Sequence, residues 1–338
     1  MRTGLFGRVG SGRKTLMEAL MGPDGEPIPV GRKSVTTIPV KDERIDKLSA
    51  IFKPKKTIYS TVEMVLDDHP SDGLKESLNA LRQYEVLVYV AKGFDVTTSS
   101  LVADVAEARD EMILTDLMLV EKRLESFKKT GDNTSQERLL MDRLHKLLEE
   151  GKFASETSLD EGERRLLVPY NLLTLKDLVV ALNIGEELLG TSEIAEVEQK
   201  VKEMGCECVT LCARLEAEIA KLGDDEQQEM LSSLGMGPGA PQTLIRAIYA
   251  SMNLVSFFTV GEDEVRAWPV RRNSVAPVAA GKVHSDIQRG FIRAETVAYD
   301  DFIKVGSLPS AKRNGTMRLE GKEYQVKDGD IINFLFKV

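Results

Sequence analysis

Cysteine, histidine and tryptophan are scarce in this 338-residue chain, with three, three and one respectively. Cys206, Cys208 and Cys212 are too few for a disulfide framework, which points to a reducing, cytosolic compartment. Their spacing fits no common zinc pattern and no second pair exists, so they read as buried or incidental thiols. The histidines are scattered, which excludes a multi-His metal site. No run of about 18 apolar residues occurs, so no membrane-spanning helix is expected. Met1 to Leu20 carries glycines and basic residues where a secretory leader would be apolar. The chain also lacks an excess of positive charge: 45 basic residues face 54 acidic ones, a net of −9. A protein coated for nucleic acid or anionic membrane is thereby excluded, and DNA is not an expected partner. One basic face on an acidic whole remains compatible with that balance.

What is present is ordinary globular material, 42% hydrophobic and 29% charged. The length suits two or three domains. Charge is uneven: 255–338 holds 13 Lys and Arg against 11 Asp and Glu, and the rest holds 32 against 43. The texture changes at the same place. Short alternating segments at 255–260, 291–298 and 331–336, punctuated by glycines, predict a separate β-rich domain over 254–338. Gly235 to Pro241 reads as a linker. In the middle, Leu101, Val105, Met112, Leu117, Val120, Leu124 and Phe127 recur at helical steps, break at 128–135, and resume at Leu140, Leu144, Leu147 and Leu148. That pattern predicts an antiparallel helical hairpin over 99–151. Around it, buried-strand runs at Thr3–Phe6, Tyr59–Leu66, Val86–Ala91 and Leu178–Leu182 alternate with helical stretches at Lys75–Arg82 and Glu193–Glu203. This alternation predicts a doubly wound, mainly parallel α/β domain over 1–98 and 152–235, with the hairpin inserted.

The most informative segment is Gly7-Arg-Val-Gly10-Ser-Gly12-Arg13-Lys14-Thr15. A phosphate-binding P-loop reads G-x-x-x-x-G-K-[ST] between a strand and a helix. Gly7 and Gly12 have that spacing. Gly10 adds backbone freedom, and the helix N-terminus adds partial positive charge. Arg13, however, stands where the lysine belongs, and Lys14 where the Mg²⁺-binding hydroxyl belongs. Arginine is longer and planar, and an ammonium cannot coordinate a cation. Two readings follow: a turn bulged by one residue, which would restore a Lys14-Thr15 pair, or a strand-to-helix turn without tight phosphate binding.

The C-terminal third carries a specific likeness. Phe257 to Trp268, Ala276 to Asp286, Gly290 to Glu295, Val297 to Phe302, Arg318 to Lys322 and Val326 to Asp330 resemble, in order and spacing, the TGS domain of the YchF (Obg-like ATPase) family. Val40 to Leu48 with Lys53-Pro54, Leu117 to Leu124, and Leu211 to Ile219 extend the resemblance to nearly the whole chain. It implies a Ras-like P-loop G domain, an inserted coiled-coil-like hairpin and a ubiquitin-like β-grasp TGS domain. It also implies ATP binding in preference to GTP, association with ribosomes or RNA, and a cytoplasmic monomer.

Carried over residue by residue, the resemblance places base recognition at Asn183 and Glu186, with Cys212 and Ala213 in the last base-contacting loop. Glutamate is one methylene longer than the aspartate that suits guanine, so adenine is favoured. The Asp-x-x-Gly turn of the family reads Leu66-Asp67-Asp68-His69 here. Leu66 replaces the Mg²⁺-holding aspartate and His69 the glycine. Thr36 and Thr37 are the candidate switch threonines, and plain strand residues explain them equally well. A divergent nucleotide-binding member with doubtful Mg²⁺ and weak or absent hydrolysis is therefore expected. The alternative is a pseudo-GTPase scaffold that uses hairpin and TGS domain to hold a protein or RNA. His284 is expected to anchor a loop and Trp268 to pack. Arg271, Arg272, Lys312, Arg313, Arg318 and Lys322 form either an RNA-facing strip or a solvated face.

Overall fold

The computed structural model describes residues 2–22, 28, 33–67, 74–132, 134–234 and 237–337. In chain order come β1 (Arg2–Phe6), α1 (Arg13–Met21), β2 (Lys33–Pro39), α2 (Glu43–Phe52), β3 (Lys56–Ile58), β4 (Thr61–Asp67), α3 (Leu74–Leu81), β5 (Val86–Gly93) and α4 (Thr98–Thr130). They are followed by α5 (Gln136–Glu149), α6 (Glu161–Leu167), β6 (Asp177–Ile184), α7 (Ser192–Glu203), β7 (Glu207–Leu211), α8 (Ala213–Ile219), α9 (Asp224–Ser233) and α10 (Gly239–Ser251). The chain ends with β8 (Leu254–Val260), β9 (Glu264–Arg271), α11 (Ala276–Val283), α12 (Ser285–Arg289), β10 (Phe291–Ala298), α13 (Tyr299–Val305), α14 (Leu308–Arg313), β11 (Arg318–Glu320) and β12 (Asp330–Phe336). The α/β class expected from the sequence is the class observed.

The elements divide into two compact units: Met1–Ile38 with Glu63–Ile248, and Pro39–Val62 with Tyr249–Val338. The first unit is built on a six-stranded sheet of order β2-β4-β1-β5-β6-β7. The pairs β1/β4, β1/β5, β5/β6 and β6/β7 are parallel. β5 and β6 are buried along almost their whole length, which is why they read as unbroken apolar runs. Strand order reverses across β1, and that switch point opens a crevice outside the carboxyl ends of the strands.

Helix α4 spans 33 residues, about 50 Å at 1.5 Å per residue. The Thr97 hydroxyl caps its start by accepting from Ser100 N–H, and Gly131 closes it in the left-handed region at φ 72°. Ser135 caps α5 by accepting from Arg138 N–H. Val120, Leu124 and Phe127 of α4 share one buried core with Leu140, Met141, Leu144 and Leu148 of α5. One charged residue lies inside it. Asp116 is fully buried and accepts from Arg82 Nη1 at 2.7 Å and from the Thr174 N–H and hydroxyl at 2.8 Å each.

The second unit holds a six-stranded sheet of order β11-β10-β12-β8-β9-β3. β10/β11, β10/β12 and β8/β9 are antiparallel, whereas β12/β8 and β3/β9 are parallel. Here the structure departs from the sequence reading, which had placed 39–62 in the first domain. Ile45 and Leu48 of α2 are fully buried in a cluster with Phe258, Val265 and Phe302, and the Phe52 and Phe302 rings stack at 5.4 Å. Arg44 bridges Asp42 and Asp328, each at 2.8 Å. The run read as one strand from Tyr59 to Leu66 forms β4 from Thr61 onward, with Tyr59 and Ser60 in the connection that follows β3. At the other boundary, the described part of the expected linker already enters α10, whose Ala240, Leu244, Ile245 and Ile248 are buried; residues 235 and 236 lie outside the described residues.

Several lesser expectations can be placed. His284 Nδ1 accepts from Asp286 N–H at 3.1 Å and caps α12. Trp268 packs against the core that contains Phe257, under the Arg266 guanidinium at 3.9 Å. Arg318, Arg272 and Lys312 are each engaged locally, with Glu320, Asn253 and Glu295. Cys206 and Cys212 are buried free thiols and Cys208 is half-buried. Burial pushes the Cys208 thiol up to about 11, which keeps it protonated at neutral pH.

Candidate nucleotide site

The crevice of the first unit collects four loops, each leaving the carboxyl end of a strand. The glycine loop follows β1. Phe94 and Asp95 follow β5, Gly185 to Glu187 follow β6, and Cys212 joins β7 to α8. Together they enclose a cavity of about 570 Å³, large enough for a nucleoside. Gly12, Thr15, Asn183, Glu186, Cys212 and Ala213 all line it. Of the residues singled out in the sequence, Gly7, Gly10, Arg13 and Lys14 belong to the adjoining loop and first helical turn.

Asn183 holds the crevice together. It is buried at the end of β6. Its Nδ2 donates to Ser11 C=O at 2.8 Å, and its Oδ1 accepts from Ala213 N–H at 2.9 Å. One amide thus ties the glycine loop to the β7–α8 turn. Gly12 is obligatory at this contact: a Cβ would lie 2.1 Å from Asn183 Nδ2, and φ is +88°. Gly7 is equally confined, because a Cβ would meet the Val90 carbonyl oxygen at 2.5 Å.

The loop has a second anchor that sequence reading missed. Arg8 Nε donates to Asp104 at 2.7 Å, and Nη2 reaches Glu107 at 2.9 Å and Glu111 at 3.5 Å, all on α4. Asp104 also accepts from the Tyr89 hydroxyl at 2.9 Å. Burial, followed by the Asp104 charge, pushes the Tyr89 phenol far above its usual range, so it stays a donor. The signal lay in the carboxylates at positions 104, 107 and 111, one face of a helix, but nothing local linked them to Arg8.

Helix α1 begins directly at Arg13, with Gly12 as its N-cap residue. Leu16 N–H donates to Gly12 C=O at 2.9 Å, so the helical register runs unbroken from the loop. This overturns the bulged register that would have restored a Lys14-Thr15 pair. Lys14 is the second helical residue, where the metal-binding hydroxyl would be. Leu66, fully buried and paired in register with Leu5, is the next-to-last residue of β4. Asp68 and His69 lie outside the described residues, as does the side chain of Asp67. Thr36 is half-buried and Thr37 exposed within β2.

The cavity walls are acidic. Asp95, Glu186 and Glu187 face it against one cation, Arg214. Such walls favour a ligand edge rich in N–H and O–H donors. Burial raises the Cys212 thiol, so this wall residue is neutral at physiological pH.

Comparison with known proteins gives a consistent result. A family model named YchF-GTPase_C, described as "Protein of unknown function (DUF933)", matches residues 254–337. The chain is 32% identical over 364 residues to the "Ribosome-binding ATPase YchF" of Bacillus subtilis (strain 168), covering 100% of both chains. It is 33% identical over 360 residues to the protein of the same name from Haemophilus ducreyi, covering 100% of this chain and 99% of that one. Among solved structures, the Schizosaccharomyces pombe YchF GTPase superposes with a TM-score of 0.82 over 99% of this chain and 97% of that one, at 23% identity. The full-length relatives, the C-terminal model and the architecture agree, and the chain belongs to the YchF family.

Proposed function

We propose that this protein binds a purine nucleotide in the crevice of its first unit, adenine in preference to guanine, and works in association with the ribosome in the cytoplasm with little or no hydrolysis. One observation carries the reading: Asn183, braced between Ser11 and Ala213, puts Glu186, Cys212 and Gly12 around a single nucleoside-sized cavity. Glu186 supplies a carboxylate acceptor on the wall, one methylene longer than the aspartate that accepts both N–H donors of the guanine edge, which supports adenine over guanine. The relatives' shared name, ribosome-binding ATPase, supports the ribosomal association. No helix among the described residues is long and apolar enough to cross a membrane. Lys14 and Leu66 support weak hydrolysis, because phosphoryl transfer depends on a metal held at those two places.

Calorimetric titration with ATP and GTP tests the reading. ATP is expected to bind more tightly, and Glu186→Asp to move the preference toward GTP. Absence of binding at millimolar nucleotide would leave the scaffold reading, in which hairpin and C-terminal unit hold a partner. Co-sedimentation with purified ribosomes tests the second half, and failure to co-sediment at low salt would sink it.

A further inference from the structure

We propose that Glu187 reads the bound base together with Glu186: the two carboxylates accept the two N–H donors of a purine 6-amino group, and Gly185 leaves open the space into which Glu187 turns back. The inference rests on the nucleotide-binding reading above. Gly185, Glu186 and Glu187 all line the cavity. The two glutamates stand in one 3₁₀ turn, Glu186–Leu188, directly after β6. Leu188 N–H donates to Gly185 C=O and Leu189 N–H to Glu186 C=O, each at 3.2 Å, so the backbone that carries the carboxylates is fixed. At three residues per turn, consecutive side chains leave such a turn about 120° apart. Gly185 is what lets Glu187 come back. Glu187 Oε1, Oε2 and Cδ are the three atoms nearest to where a Gly185 Cβ would stand, with Cδ at 2.6 Å. The carboxylate therefore lies folded over Gly185, in space that any other residue would fill. The glycine is not needed for its backbone, since φ −72° and ψ 158° are open to every residue.

Cys212 reports that the two carboxylates converge. Burial raises its thiol first, and the charges of Glu186 and Glu187 both raise it further. Neither glutamate has a hydrogen-bond or ion-pair partner among the described residues. An ionised carboxylate only accepts, so an adjacent pair calls for a ligand group with at least two donors. The 6-amino group of adenine carries two N–H on one nitrogen, one for each carboxylate. Guanine has a keto oxygen in that place, an acceptor that would face two acceptors. The nearby Ala213 N–H, which could have taken a keto oxygen, is spent on Asn183 Oδ1 at 2.9 Å.

The test is calorimetric titration of the full chain with ATP and with purine riboside triphosphate, which lacks only the 6-amino group. The native chain is expected to bind ATP at least about tenfold more tightly. Glu187→Ala removes the carboxylate, and Gly185→Ala displaces it without altering it. Each is expected to cut the ratio of the two affinities by about threefold or more, with an unchanged circular dichroism spectrum. The ratio is the readout because losing one negative charge alters the affinity for both triphosphates alike. Equal affinity of the native chain for the two ligands overturns the inference while leaving nucleotide binding intact. A native ratio in either folded variant also overturns it. Absence of binding of both ligands at millimolar concentration overturns the nucleotide reading as well. Glu187 is exposed and Gly185→Ala requires only the Glu187 side chain to move, so two independent variants carry the test.

Discussion

Asn183 shows how much of the crevice depends on one side chain. Its amide pairs with the Ser11 carbonyl and the Ala213 N–H, both in buried hydrogen bonds. Asn183→Ala is expected to cost about 1–3 kcal/mol for each buried group left unpaired. Urea denaturation reads that loss, and ATP titration should show weakened binding in the same variant. Gly12→Ala attacks the same contact from the other side, adding a clash at 2.1 Å and a left-handed backbone that alanine resists. It is expected to lower the thermal midpoint and abolish nucleotide binding together. Glu216 on α8 is a different residue-scale case. It is buried, burial raises its carboxyl, and the Ala240 N–H it accepts from only partly offsets that. A carboxyl raised in the folded state binds its proton more tightly there. Its stabilising contribution is present below the unfolded value of about 4.3 and is lost as pH rises through the folded value. Glu216→Gln removes that loss. The variant is expected to gain more in thermal midpoint over the native chain at about pH 7.5 than at about pH 5. An equal gain at both would contradict this.

Among the elements, α4 carries the strongest internal constraint. Its apolar face anchors it along the core, but Asp116 fixes its rotation, because the carboxylate finds Arg82 and Thr174 in one orientation only. Asp116→Asn retains shape and removes the charge facing Arg82, whose side chain is 15% exposed. Breaking a buried pair from one side costs about 3 kcal/mol. Equilibrium denaturation is expected to show a loss of that order, and a loss below about 1 kcal/mol would mean that water satisfies Arg82 instead. The C-terminal end of α4 was legible because Gly131 lies in the polar break of the pattern, an ordinary stop signal. The Asp116 network was not, because its partners lie 34 and 58 positions away.

At the scale of the molecule, charge and chain order are both redistributed. The second unit, 39–62 with 249–338, carries 19 Lys and Arg against 14 Asp and Glu, a net of +5. That leaves 26 against 40, a net of −14, in the first. The contrast is sharper than a cut at residue 254 suggests, because 39–62 alone contributes +3. This segment is also a structural part of the second unit. A fragment of 249–338 lacks α2 and β3, so it exposes the Phe258 and Phe302 cluster and leaves the edge of β9 unpaired. It is expected to give poorly dispersed amide spectra. Joining 39–62 to it through a flexible linker is expected to restore dispersion; a well-folded 249–338 fragment would refute the dependence.

The sequence by itself determined the elements and the chemistry available to them. Period-two and period-3.6 patterns are local, so the strands, the long helix and the glycine loop could be read directly. The replaced positions Lys14 and Leu66 are visible letter by letter. Tertiary structure alone decided which elements belong together and in what register. Burial of Ile45 and Leu48 beneath residues more than two hundred positions away moved 39–62 into the second unit. One hydrogen bond from Leu16 to Gly12 shows the register in which the glycine loop enters α1. The reason is the same in both cases: a hydrophobic face or a backbone donor states that it needs a partner, and only the folded chain supplies which one.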